Sequence, residues 1–233
     1  MAGRLYVIGS TGTVGSGIAR AANAAGWSVL AMGRNVGRLS ALKSHIPGIQ
    51  TLAGSVAEEE SAVHLANEAS SALPNPDAVI VAVNLPVRPE RLTDMSSDRL
   101  IEVFSGNVVS HHNAIRAFLP LLRSDGLFLG IGGGMADLIF DGMGAVSMGQ
   151  GALRNAYKFY SRENGADGPA IRELMIYSMV VAQEDDATAD PRQIRADEIG
   201  RHVMAMLDSP QAFGGPIHSL KSRKQVGQPP AME

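Results

Sequence analysis

Six short apolar runs, most of them almost unbroken, divide this chain: residues 5–8, 28–32, 49–52, 78–83, 127–131 and 171–177. Segments with helical spacing alternate with them at 14–25, 36–45, 58–72, 97–122, 143–162 and 196–207. Runs that are apolar on both faces belong to parallel strands covered from both sides. Parallel neighbours in turn require a crossover helix between them. The pattern therefore predicts an α/β fold of Rossmann type, a doubly wound parallel sheet with helices on both faces.

At 233 residues with 45% apolar side chains, the chain suits one domain better than two. Residues 1–220 are expected to form it, with 221–233, which carry Gly227, Pro229 and Pro230, as a partly ordered tail. A formal charge of −3 offers no basic field, so nucleic acid is not an expected partner. With no cysteine there is no disulfide, thiolate metal site or thiol nucleophile. No run is long enough to cross a bilayer, and the first apolar stretch ends in glycine rather than a cleavage site. The expectation is a soluble, cytoplasmic protein without a membrane or metal partner.

Directly after the first strand comes Gly9-Ser10-Thr11-Gly12-Thr13-Val14-Gly15. Three glycines at this spacing between a strand and a helix suit a dinucleotide. One permits the tight turn, one lets backbone approach a pyrophosphate, and one lets helix and strand pack closely. The helix N-terminus then faces the anion. The second strand runs into Gly33-Arg34-Asn35. A carboxylate there would bind the adenosine ribose of NAD, whereas an arginine matches the 2′-phosphate of NADP(H). Arg38, one helical turn on, is placed to assist. The cofactor expected from these residues is NADP(H).

With these motifs the chain resembles the short-chain dehydrogenase/reductase family over nearly its whole length. The glycine loop is similar to that family's G-x-x-G-x-x-G variant, and Met32-Gly33-Arg34-Asn35 to the strand end of its NADP-preferring members. Gly54-Ser55-Val56 stands where the family often has Asp-Val beside the adenine. Val81-Ala82-Val83-Asn84 replaces its Asn-Asn-Ala-Gly, and Asn107 falls where an asparagine holds a relay water. Ser178-Met179 replaces Pro-Gly after the sixth strand. Val181 is then implied to meet the nicotinamide amide through its backbone, and Gln183 through its side chain. The resemblance further implies a small-molecule substrate and a homodimer or homotetramer. Subunits would pair through the helices at 97–122 and 143–162.

The resemblance also implies a serine after the fifth strand, a tyrosine thirteen residues later and a lysine four beyond that. The tyrosine is the acid/base, one helical turn from the lysine that lowers its pKa. Here those positions read Gly133, Val146 and Gln150. The four tyrosines, Tyr6, Tyr157, Tyr160 and Tyr177, are followed four residues on by Ser10, Ser161, Asn164 and Val181, so no Tyr-x-x-x-Lys exists.

Remaining candidates for a proton donor are His111, four residues after Asn107 on one helix face, and Asp137 and Asp141 in the loop after the fifth strand. His111 also reads as a packing or subunit-contact residue, and Tyr157 as core. Arg88 and Glu184 are weaker candidates, and Met135, Met143, Met148 and Met179 are candidates for an adaptable apolar pocket. Three functions stay open: an atypical NADP(H)-dependent oxidoreductase acting on an apolar carbonyl or alcohol, a non-catalytic NADP(H) sensor or regulator, or a cyclase, lyase or isomerase on the same fold.

Overall fold

Residues 3–182, 190 and 193–230 are described by the computed structural model of the chain. The apolar runs form the strands β1 (Arg4–Ile8), β2 (Ser28–Gly33), β3 (Gln50–Ala53), β4 (Ala78–Val81), β5 (Leu127–Gly133) and β6 (Ala170–Ile176). They pair in parallel in the order β3-β2-β1-β4-β5-β6. A further strand, Ile217–Leu220, pairs in parallel with β6 and completes a seven-stranded sheet. It was not anticipated from the sequence, because four residues reading Ile-His-Ser-Leu carry too little periodicity to separate strand from loop.

Helices cover both faces: α1 (Thr13–Ala24), α2 (Val36–His45), α3 (Glu59–Ala72), α4 (Ser97–Phe104), α5 (Ser110–Phe118), α6 (Gly144–Asn164) and α7 (Ala196–Asp208). Two apolar cores result. One holds Leu5, Val7, Ile18, Leu129, Leu174 and Val203; the other holds Tyr6, Leu30, Val79, Phe118, Phe128 and Tyr157. Strand alternation assigns Leu5 and Tyr6 to opposite faces, which is why the runs are apolar throughout.

The helix expected at 97–122 runs without a break from Ser97 to Phe118, through one π-turn at Ser105–Val109, and closes in a 3-10 turn at Leu119–Leu121 that carries Pro120. Proline lacks the N–H that an α-helix would use there. In the π-turn Asn107 Nδ2 donates to Val103 O at 2.7 Å and Ser110 Oγ to Ser105 O at 3.2 Å, so side chains engage carbonyls of the widened turn. Strand β4 also ends at Val81, two residues early. The Ala82 N–H still reaches Ile8 O at 2.8 Å, but the Val83 carbonyl accepts from a histidine on α5.

The pair α1 and α7 is packed through glycine. A Cβ on Gly17 would lie 2.1 Å from Ala196 O, and one on Gly200 would lie 2.4 Å from Gly17 O. Helix α7 continues directly from β8 (Ile194–Arg195), which pairs with β7 (Val180–Val181) in a small second sheet. The ninth strand, β9, is Ile217–Leu220. Beyond it Arg223 donates to both oxygens of Glu198 at 2.9 Å, and the Gly227 N–H donates to His202 Nδ1 at 3.0 Å. No described helix is long and apolar enough to cross a membrane.

Candidate cofactor cleft and active site

The three glycines of the first loop do three different things. Gly9 has φ +86°, and a Cβ on it would lie 2.3 Å from Ala82 O, so the turn needs glycine twice over. Gly15 is buried, and a Cβ there would lie 2.3 Å from Gly9 O, which explains the close seating of α1 on the end of β1. Gly12 is exposed, and its nearest neighbour to such a Cβ is Gly9 O at 3.4 Å, so the space above it is open.

Gly12 is also the N-cap of α1, and no side chain caps that helix. By contrast Asn35 caps α2, accepting from the Arg38 N–H at 2.9 Å, and Ser96 caps α4, accepting from the Arg99 N–H at 3.2 Å. The first-turn N–H groups of α1 are thus left for an external acceptor at the positive end of the helix.

A cleft of about 270 Å³ opens over this loop. Gly9, Thr11 and Gly12 form its base, and Arg34 and Arg38 stand at one side. Ser55 and Val56 line the adjoining wall, and Val83 and Asn84 the opposite one. Both arginines are exposed, and no carboxylate is among the residues lining the cleft. A dinucleotide fits this donor set: open backbone over Gly12, an uncapped helix end and two exposed guanidinium groups.

Several expected contact residues sit behind the cleft rather than in its wall. Ser10 is fully buried, and its Oγ and N–H both bond to Met32 O at 3.0 Å, tying the loop to β2. Thr13, Val14 and Gly15 belong to α1 behind the loop, and Asn35 serves as the cap that orients Arg34 and Arg38. Val181 is in the small β7–β8 sheet, away from the cleft's wall. Gln183 and Glu184 lie outside the described residues. One supporting residue had no signal in the sequence. Asn113 on α5 donates to Val56 O and Ala57 O, each at 3.1 Å, and so pins the adjoining wall.

The floor beside β5 is a different kind of surface. Gly133 and Gln150, which stand where the resemblance implied serine and lysine, meet directly: the Gly133 N–H donates to Gln150 Oε1 at 2.5 Å. A carbonyl oxygen must face that N–H, which fixes the orientation of the amide. Val146 lies one turn earlier on α6 and offers no proton. Asn107 is buried beside Gly149, 3.7 Å from where a Cβ would stand, and its Nδ2 donates to Val103 O at 2.7 Å.

His111, a candidate proton donor, is fully buried. Its Nε2 is 3.1 Å from Val83 O and its Nδ1 is 2.9 Å from Tyr157 Oη. A carbonyl only accepts, so Nε2 carries the hydrogen and Tyr157 donates to Nδ1. Burial pushes the His111 pKa down to about 4, against the Val83 carbonyl that favours the protonated form. The imidazole is a neutral brace between α5, α6 and the end of β4.

The loop acids are placed apart from the floor. Asp137 is clamped by the Tyr177 hydroxyl and by Arg154 at 2.6 Å, and those hydrogen bonds hold its carboxyl below the usual range. Asp141 and Arg88 are exposed, and neither lines the cleft. Met148 and Met179 are exposed as well, and none of the four expected methionines lines the cleft. The acids were placed by loop position alone, which does not say which of them has partners.

The family model described as enoyl-(acyl carrier protein) reductase matches residues 9–223. No curated protein sequence matches the chain. Among solved structures, an alcohol dehydrogenase from the archaeon Thermococcus sibiricus, complexed with 5-hydroxy-NADP, superposes with a TM-score of 0.80 at 22% identity, covering 99% of each chain. A doubly substituted short-chain dehydrogenase/reductase from Serratia marcescens gives 0.83 at 17% identity, over 94% of this chain and 96% of that one. A dehydrogenase/reductase from Sinorhizobium meliloti gives 0.81 at 19%, over 94% and 93%. The glycine loop over an uncapped α1, the seven-stranded sheet and a family match spanning nearly the whole sequence lead to one conclusion: the chain belongs to the short-chain dehydrogenase/reductase family.

Proposed function

We propose that this protein is an NADP(H)-dependent oxidoreductase with an atypical active site, acting on a small or medium-sized apolar carbonyl or alcohol. The family is one of nicotinamide-dependent oxidoreductases; the preference for the 2′-phosphate is the further step. The observation that carries it is the pair Arg34 and Arg38 beside a cleft lined by no carboxylate. Asn35 caps α2 through the Arg38 N–H and so holds both arginines on one fixed turn. Two guanidinium groups on a fixed turn match a dianionic phosphate better than a ribose diol. The relative from Thermococcus sibiricus was solved with an NADP analogue.

When bound, the cofactor would supply hydride, and the reaction also needs a proton. The Gly133, Val146 and Gln150 positions provide no acid, so a proton would have to enter from solvent or from the substrate itself. The same deficit supports a second reading, a protein that binds NADP(H) and signals its redox state without turnover. The exposed apolar residues Ile101, Val109, Met148 and Phe159 on the α4–α6 side suit a homodimer or homotetramer.

Fluorescence titration with NADPH and NADH tests the cofactor assignment. Tighter binding of NADPH is expected, and equal affinity or a preference for NADH would refute it. Stopped-flow oxidation of bound NADPH with aldehydes and ketones then separates the two readings: turnover supports the enzyme, and binding without turnover the sensor.

A further inference from the structure

The cleft wall next to Arg34 carries a single polar side chain. The Gly54 N–H donates to Gly33 O at 3.0 Å, so the chain leaving β3 runs beside the chain leaving β2. Ser55 is thereby set next to Arg34, and both line the cleft. Four residues make this wall, Gly54, Ser55, Val56 and Ala57, and of them only serine has a polar side chain. The Val56 and Ala57 carbonyls are each engaged by Asn113 Nδ2 at 3.1 Å.

The Ser55 hydroxyl is half committed. Its oxygen accepts from the Ala57 N–H at 3.1 Å, which fixes where Oγ stands. A hydroxyl has one O–H donor and two lone pairs. Ala57 takes one lone pair; the other and the O–H have no partner among the described residues. The O–H rotates about the Cβ–Oγ bond, so one fixed oxygen either accepts from an amino group or donates to a carbonyl oxygen. A carboxylate in the same place would only accept, and none lines the cleft.

We propose that Ser55 makes this site indifferent to the group at position 6 of the purine, so that it binds a hypoxanthine dinucleotide phosphate as readily as NADP(H). The proposal rests on the NADP(H) reading. On a ribose, the carbon that bears the base is bonded to the carbon that bears the 2′-phosphate. A phosphate at Arg34 therefore sets the base against the residues beside Arg34, which are those of the Ser55 wall. Adenine presents a 6-amino donor there, and a 6-oxopurine presents an acceptor. Ser55 meets either by turning its O–H, with the bond from Ala57 unchanged. Strong rejection of the wrong group needs a polar partner that is left unpaired by it, and a swivelling hydroxyl is not such a partner.

The test is titration calorimetry with NADPH and with reduced nicotinamide hypoxanthine dinucleotide phosphate, which keeps the 2′-phosphate and needs no turnover. The wild type should bind the two within about 3-fold of each other, less than the effect of one ordinary hydrogen bond. Ser55→Asp keeps an acceptor for the Ala57 N–H but loses the donor. It should hold NADPH and weaken the hypoxanthine analogue by about 10- to 100-fold, the effect of one charged hydrogen-bonding group. Ser55→Ala should weaken both dinucleotides alike, by about 3- to 10-fold. Melting curves show whether each variant is folded, and the wild-type comparison stands without them. A wild type that separates the two by more than about 3-fold overturns the proposal and leaves NADP(H) binding intact. So does a Ser55→Asp variant that treats them equally, or a Ser55→Ala variant that loses affinity for neither. Failure of both dinucleotides to bind the wild type sinks the NADP(H) reading and this proposal together.

Discussion

The two ends of the candidate site are built on opposite principles. Over the first loop, backbone donors are left open: α1 has no side-chain cap, Gly12 faces empty space, and Arg34 and Arg38 are exposed. Along β5 and α6, polar groups turn inward and bond to one another. Gly133 is held by Gln150, and Tyr157 by His111, which also takes the Val83 carbonyl. Unsatisfied donors in a cleft create affinity for whatever satisfies them. Groups satisfied internally create stiffness and leave little to offer a reacting atom. The first end is prepared for a ligand, and the second is prepared to stay where it is.

The largest expected effect separates two glycines of one loop. Gly12→Val keeps an ordinary backbone conformation (φ −84°, ψ 166°) but fills the open space. It should cost about 100-fold in NADPH affinity by fluorescence titration, with the melting temperature nearly unchanged. Gly15→Ala forces a carbon against Gly9 O and should instead destabilise the fold, by about 1–3 kcal/mol in chemical denaturation. If Gly12→Val unfolds the protein, or binds NADPH normally, the division between the two ends fails.

Arg34→Glu comes next. It replaces the charge-matched fork with a carboxylate and should weaken NADPH by about 10- to 100-fold while sparing or improving NADH. An unchanged ratio of the two affinities would move the 2′-phosphate elsewhere.

The inward-turned end makes a prediction about stability and pH. Glu173, in the middle of β6, is fully buried. Its folded-state pKa lies near 8, above its unfolded value near 4.5, so the native state binds the extra proton between them. Its contribution is complete below about pH 4.5 and is lost as pH rises to about 8. Urea denaturation should show the wild type losing stability relative to Glu173→Gln across that window, by on the order of a few kcal/mol. Parallel curves would show that the carboxyl titrates normally. His111 carries the opposite sign: its folded pKa of about 4 is depressed, so stability present above pH 6.5 is lost as pH falls through about 4.

The smallest effect concerns assembly. Light scattering should report a dimer or tetramer, and Phe159→Glu on the exposed side of α6 should shift it toward monomer. A wild type that is monomeric at all concentrations would refute the pairing of these helices.

How much of this was readable beforehand follows from the range of each interaction. The strands and helices announce themselves through local periodicity, and the glycine loop through spacing between two such elements. Arg34 is legible because strand ends have a known relation to the loop. The network of His111, Tyr157, Gln150 and Glu173 is not legible, because it joins α5, α6 and β6 across the sheet. Read singly, a tyrosine on an apolar helix face looks like core, and a glutamate in a β-strand looks like an edge residue or a boundary. Only the register of Gly130 against Glu173 brings a buried acid beside a tyrosine. The resemblance singled out Gly133 and Gln150 as the serine and lysine positions, but not that an amide oxygen would accept from a backbone N–H there.

The glycine contact between α1 and α7 has a consequence for how such a protein can change over generations. Helix α7 is carried on α1, and β8 at its start grips β7, so Val181 and Ile194 are both anchored to one rigid pair of helices. The stretch of chain between those two residues begins and ends at fixed posts. Lengthening a segment whose ends are already held together adds only a slowly growing entropic cost. That stretch can therefore be rewritten, in length as well as in composition, while the posts stay in register.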